Sequence, residues 1–186
     1  MINNKFPVCL DDFAKGRWSI RRYIITLNFL KRFIPAGSTL LDLGTENGLG
    51  NFMKLNGYHI INTVGFDFDL HYSRFCIYNP DAVTAFEIFE HLVNPFEVLR
   101  ALPREKLIAS VPLRLWFAKA FKNKTNSAGW HYHEFEQWQF DFLLEKAGWT
   151  IIAREKHTAP TFIPGFRSIL RWFTPRIYLV YAERRR

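Results

Sequence analysis

Cysteine is nearly absent from this chain. Its 186 residues include two, Cys9 and Cys76. Their isolation excludes a Cys-rich metal cage, whose ligands recur in close pairs, and a disulfide framework of the secreted kind. A reducing cytoplasm is the expected compartment. Long apolar runs are missing as well, so no segment is expected to span a bilayer. The first residues carry Asp11 and Asp12 and no apolar stretch, and no secretory leader is expected there. Internal repeats and low-complexity tracts are lacking, which argues against a solenoid or a disordered linker.

Aromatic side chains and positive charge are abundant instead. The chain has 19 Phe, 7 Tyr and 6 Trp, with 48% hydrophobic and 23% charged residues. That is the composition of one globular domain able to bury a core of useful size. The net charge is +8. Such an excess serves solubility, and it also favours an anionic partner such as nucleic acid, a phosphorylated substrate or membrane headgroups.

Apolar spacing predicts a helix over Arg17–Phe33, ended by Pro35-Ala36-Gly37. Short apolar runs predict strands at Thr39–Leu43, His59–Phe66, Ala82–Phe86, Lys106–Val111, Thr150–Lys156 and Ile177–Glu183. Between them, helices are expected over Gly48–Asn56, Pro95–Leu102 and Glu136–Ala147, with Gly57 and Gly148 as stops. Residues 1–16 and Lys122–Gly129 read as irregular. Alternating strands and helices imply an α/β fold, a mostly parallel sheet covered on both faces. The last two strands lack a crossover helix and are expected to form an antiparallel pair.

The segment Leu40-Leu41-Asp42-Leu43-Gly44-Thr45-Glu46-Asn47-Gly48 ends an apolar run in an acid and turns through glycine into a helix. In α/β folds this is how a nucleotide-type pocket is built at the carboxyl end of the first strand. Glu46 stands where a small residue would let a ligand approach the backbone. It could take the place of a ligand carboxylate, or swing out, where its charge would suit a ligand cation. A second segment, Glu87-Ile88-Phe89-Glu90-His91, follows a central strand. If helical, it sets Glu87, Glu90 and His91 on one face. A third, Trp130-His131-Tyr132-His133-Glu134, supplies further imidazoles.

Three motifs in collinear order resemble the class I S-adenosylmethionine (SAM)-dependent methyltransferases. They are Leu40–Gly44, Asp81–Leu92, and His133-Glu134-Phe135 followed by Leu143–Trp149. The sequence also looks like bacterial methyltransferase-domain proteins found with surface-polysaccharide genes, which share a tail like Thr158–Arg184. The resemblance implies a Rossmann-like, seven-stranded sheet ending in a reversed hairpin. Only about a dozen residues separate Asp69 from Asp81, too few for a full helix-plus-strand crossover, so one strand–helix unit is expected to be lacking. The whole chain, 1–186, reads as a single methyltransferase-like domain, with 1–37 as an N-terminal helical cap, 38–157 as the core and 158–186 as an insertion and last strand.

By resemblance, SAM is the expected cofactor, and Asp42, Gly44, Thr45, Glu46, Gly48, Asp67 and Glu87 are the expected cofactor-binding residues. Asp67 is the first choice for the ribose-gripping acid at the end of the second strand, and Asp69 the second. His91, His131 and His133 are candidate general bases, with Glu87 or Glu90 orienting one. A divalent metal is not the expected cofactor. Were one bound, its candidate ligands are Glu87, Glu90, His91 and His133, a pattern similar to metal-dependent small-RNA 2′-O-methyltransferases. The expected acceptor is a small molecule, sugar or lipid-linked glycan. The aromatic, basic segments Leu113–Lys124 and Phe166–Arg176 are candidate peripheral membrane contacts or pocket lids, and nucleic acid is a less favoured partner. A methyltransferase-like protein without catalysis, acting by binding or at a membrane, is the alternative from another class.

Overall fold

The computed structural model describes residues 17–65, 67–120, 130–160 and 165–184. The expected irregular start and the Lys122–Gly129 loop lie outside them. Six strands run β1 (Thr39–Asp42), β2 (His59–Asn62), β3 (Ala82–Phe86), β4 (Lys106–Pro112), β5 (Thr150–Thr158) and β6 (Pro175–Glu183). They form one sheet in the order β2-β1-β3-β4-β6-β5. The first four are parallel, and β6 inserts antiparallel between β4 and β5. The expected terminal antiparallel pair is therefore present.

Side-chain alternation sorts the core into two layers, as the period-two pleat demands. Leu40, Ala82, Ile108, Leu179 and Tyr181 point to one face. There they meet α1 (Arg17–Lys31), through Tyr23, Leu27 and Leu30, and α2 (Gly48–Leu55), through Phe52 and Met53. Leu41, Val83, Leu107, Ala109, Tyr178 and Val180 point to the other face. They are covered by α4 (Pro95–Ala101) and α5 (Gln137–Lys146). Helix ends follow local chemistry. Asn47 caps α2 by accepting from the Gly50 N–H, and Pro95 opens α4. Glu136 and Gln139 form a reciprocal capping box on α5.

Between β2 and β3 the described chain makes only a four-residue helix, α3 (Phe68–His71), and a 3-10 turn over Tyr72–Ile77. Among the described residues the strand–helix unit is thus reduced to these two short pieces and adds no strand to the sheet. One consequence corrects the sequence expectation: β2 stops at Asn62 instead of running to Phe66. Among the described residues it is an edge strand with no outer neighbour to extend its ladder, and Ile61 and Val64 on it and just beyond it are exposed.

Phe140, on α5, is fully buried and packs its ring on Phe89, Phe135 and Tyr178. Phe140→Ala should cost about 3–5 kcal/mol in urea unfolding.

Candidate functional site

The chain leaves β1 to build β2 on one side, then returns to build β3 on the other. The carboxyl ends of β1 and β3 therefore border a switch-point crevice, the place where open α/β sheets bind ligands. A cavity of about 330 Å³ lies there, walled by the Asp42–Asn47 turn and by Phe86, Glu87 and Ile88. Gly44 adopts φ +108, where a side chain is strained, and an added Cβ would meet Ile88 Cδ1 at 3.4 Å. Its N–H donates to Thr63 Oγ1 at 2.7 Å, which pins the turn to the end of β2.

Asp42 is buried beneath this turn. Thr84 Oγ1 donates to Oδ1 at 2.7 Å and Asn62 Nδ2 to Oδ2 at 3.3 Å. Burial pushes its carboxyl up to about 6, an effect that the bonds from Thr84, Asn47 and Asn62 partly offset.

Glu87, just past β3, has φ 57, the left-handed conformation that costs a non-glycine residue about 1–3 kcal/mol. Its N–H donates to the Ser110 carbonyl at 2.9 Å. Its carboxylate pairs with Arg22 of α1 at 2.8 Å. This backbone corrects the expectation of a helical face: only Phe89–His91 forms a 3-10 turn, and Glu87 lies outside it. Arg22 and Glu87 also line a second cavity of about 290 Å³, shared with His131, Arg171 and Arg176. The ion pair is thus a wall common to both cavities.

Behind that wall sits a carboxylate–imidazole cluster. Ligand-type atoms of Glu90, His91 and His131 lie within 4.8 Å of one another. Glu90 is fully buried and neither carboxylate oxygen has a hydrogen-bond partner. Burial, reinforced by the charges of Glu87 and Glu134, drives its carboxyl well above the usual range and favours the neutral acid. His91 Nδ1 meets the Trp130 carbonyl at 2.9 Å. A carbonyl only accepts, so Nδ1 carries a proton. His131 Nδ1 meets Glu134 Oε1 at 3.1 Å. Burial lowers the His131 pKa, so the ring is a neutral base at physiological pH, against the opposing pull of Glu134.

Of the expected cofactor residues, Asp42, Gly44, Thr45 and Glu87 line the first cavity. Gly48 begins α2 and is not among its lining residues. Glu46 takes the outward alternative: it is exposed and bonded to Lys54 at 2.8 Å, because a nearby ammonium in water holds it better than the apolar turn does. Asp67 is exposed and caps α3 by accepting from the Asp69 N–H, while Asp69 accepts from Val93 and Asn94. Neither acid stands at a strand end, since β2 stops earlier. Among the candidate bases, His91 lines the first cavity and His131 the second. His133 departs: it stacks on Phe135 and faces a separate cavity. The expected metal set of Glu87, Glu90, His91 and His133 is therefore not assembled. The trio that does converge exchanges both outliers for His131. Arg22 escaped sequence reasoning because it sits on a helix whose pattern signals only packing, beside Arg17, Arg21 and Lys31, with nothing in the spacing to single it out.

No family model and no curated protein sequence matches the chain. Solved structures do. A SAM-dependent methyltransferase from Archaeoglobus fulgidus superposes with a TM-score of 0.60 at 16% identity, covering 88% of this chain and 94% of the other. The chain has the class I methyltransferase fold. The Burkholderia thailandensis 1,6-didemethyltoxoflavin-N1-methyltransferase, solved with S-adenosylhomocysteine, gives 0.60 at 13% identity over 88% of this chain and 78% of that one. The cyclase SpnF gives 0.53 at 11% over 91% and 84%.

The Asp42 shift has a measurable consequence. Its ordinary pKa is 3.8 and its buried one about 6. Below the first, the folded and unfolded chains are both protonated and the group costs nothing. As pH rises through the second, the fold must hold an ionised buried acid, at about 3 kcal/mol. Asp42→Asn cannot ionise. Its stability relative to wild type should rise by about 3 kcal/mol between about pH 4 and about pH 8 in denaturant titrations at each pH.

Proposed function

We propose that the protein is a SAM-dependent methyltransferase acting on a small-molecule, sugar or lipid-linked glycan acceptor. The observation that carries this reading is the Gly44–Asn47 turn, which faces Glu87 across a switch-point cavity with Glu46 turned away. In this reading the cofactor's amino-acid end lies against Gly44 and Thr45, and Asp42 and Glu87 supply negative charge for its cation. The bound cofactor supplies an electrophilic methyl on sulfonium: the carbon–sulfur bond breaks as the bond to the acceptor forms, and the sulfur leaves as a neutral thioether. The chain's part is alignment, exclusion of water and removal of one proton. His131 is the proposed base. Its Nε2 takes the acceptor's proton, and Glu134 on Nδ1 holds the tautomer and steadies the imidazolium. His91 and neutral Glu90 close the cluster behind it.

Calorimetric titration with SAM tests the reading. Wild type should bind, Glu46→Gly should bind within about twofold of it, and Gly44→Ala should bind about tenfold or more weakly, because the turn must strain to hold a Cβ. No heat and no thermal shift at millimolar SAM would sink the enzyme and leave the methyltransferase-like binding protein in its place.

A peripheral membrane contact is part of the same proposal, supported by the orientation of α6 (Phe166–Phe173). Its half-buried residues are Ser168, Leu170 and Arg171. Phe166, Ile169, Trp172 and Phe173 face outward, with Phe173 81% exposed. An amphipathic helix that turns its apolar side to solvent beside basic residues has the make-up of an interfacial helix. No described helix is long and apolar enough to cross a membrane. Leu113–Lys124 contributes less: Leu113 and Leu115 are buried, Trp116 is exposed, and the segment's last residues, from Phe121 on, lie outside the described chain. Wild type should float with vesicles of phosphatidylcholine and phosphatidylglycerol, and Ile169→Ser with Phe173→Ser should stay at the bottom. Equal flotation of the two proteins would remove α6 from the contact.

A further inference from the structure

The second cavity has a charge the proposed reaction does not explain. Three arginines reach it from three elements: Arg22 from α1, Arg171 from α6 and Arg176 from β6. Its one lining acid, Glu87, is already committed to Arg22 at 2.8 Å. Arg176 donates to the Leu113 carbonyl and stands 3.6 Å from Glu134 Oε2. Among the described residues Arg171 makes no hydrogen bond or ion pair, yet it is half-buried with its guanidinium toward a like charge. Burial and the neighbouring Arg176 both lower the pKa of Arg171, the mark of a cation held where a counter-charge is missing. α6 turns Arg171 inward beside Leu170 while Phe166, Ile169, Trp172 and Phe173 face solvent, so a cation takes a place that packing alone would give to one of them.

We propose that this cavity is the acceptor site and that it takes acceptors carrying a phosphate or carboxylate group, gripped by Arg171 and Arg176. The inference rests on assigning the first cavity to SAM, with which the second shares the Arg22–Glu87 wall. Guanidinium forks match the planar or tetrahedral oxyanion with paired hydrogen bonds, and Arg is better suited to this than Lys. His131 lines the same cavity, and Glu134 lies between it and Arg176. An acceptor anchored by its oxyanion therefore presents a neighbouring hydroxyl or amine to the base.

The test is a calorimetric titration of the full chain with inorganic phosphate, followed by SAM. Phosphate should bind wild type, and Arg171→Gln should weaken it about tenfold or more. Arg171→Lys, which keeps the charge and loses the fork, should recover part of the affinity. Arg167→Gln removes an equal charge from the exposed side of α6 and should stay within about twofold of wild type. SAM affinity should be the same in all four proteins. Flotation with vesicles containing phosphatidic acid separates the sources: loss in Arg171→Gln, with competition by free phosphate, assigns a lipid headgroup, and unchanged flotation assigns a soluble acceptor. Phosphate that binds Arg171→Gln as it binds wild type, or that fails to bind wild type at tens of millimolar, overturns the proposal. Arg171-dependent phosphate binding without SAM binding would keep the oxyanion site and discard the methyltransferase reading. Should Arg171→Gln lose its helical circular dichroism, Arg176→Lys is judged by the same criteria.

Discussion

Asp42 carries a carboxylate into the carboxyl edge of the sheet, and the ligand-facing surface is arranged around it. Thr84 reaches it from β3 and Asn62 from β2, so one side chain ties three neighbouring strands where their ladders end. Asn47 bonds to the same carboxyl and also caps α2. The turn between strand and helix is thus fixed at both ends, and an added Cβ at Gly50 would lie 3.6 Å from Asp42 Oδ2. A buried acid with a raised pKa costs stability when ionised. What it provides is acceptors for Thr84, Asn62 and Asn47, which gather the two neighbouring strands and the helix cap around the turn that borders the cavity.

Much of this arrangement could be read from the chain. Alternation in Leu40–Leu41, Ala82–Val83 and Leu107–Ile108 follows the pleat, so the strands and the two-sided core were plain. The short stretch before Asp81 announced the missing unit. Site residues were harder wherever long-range contacts chose between local alternatives. Glu46 could turn in or out, and Lys54, eight residues on, decides it. Glu87 looked helical by spacing, but its pairing with Arg22, 65 residues away, and its bond to Ser110 hold it in a left-handed turn. Asp67 was assigned to a strand end that an unpartnered edge strand does not reach. His131 and His133 differ by two residues, yet His131 turns toward His91 and pairs with Glu134, while His133 stacks on Phe135, which packs on Phe140.

The fold alone does not fix the chemistry. The same architecture is shared by methyltransferases and by the cyclase SpnF, which is why function has to be argued from the site. Here the site is divided by charge. The first cavity has Asp42 at its floor and Glu87 at its side, a setting that favours a cation. The second has Arg171 and Arg176, a setting that favours an anion. The Arg22–Glu87 pair lines both cavities and forms the wall they share.

That division bears on which atom of the acceptor would be methylated. An oxyanion held by two guanidinium groups has its lone pairs engaged and its charge spread, which makes it a poor nucleophile toward a sulfonium methyl. Methylation of the gripped group itself would also leave His131 without a proton to take, since an ionised phosphate or carboxylate needs no base. The neutral His131 with Glu134 behind it is instead matched to a hydroxyl or amine, whose proton must go as the new bond forms. On the proposed assignment the oxyanion is a handle and the methylated atom lies a few bonds away from it, on the side of the cavity nearer the Arg22–Glu87 wall. A phosphorylated sugar or a lipid-linked glycan has both groups at that separation. A simple carboxylic acid does not, and it should therefore occupy the pocket as a competitor without being methylated.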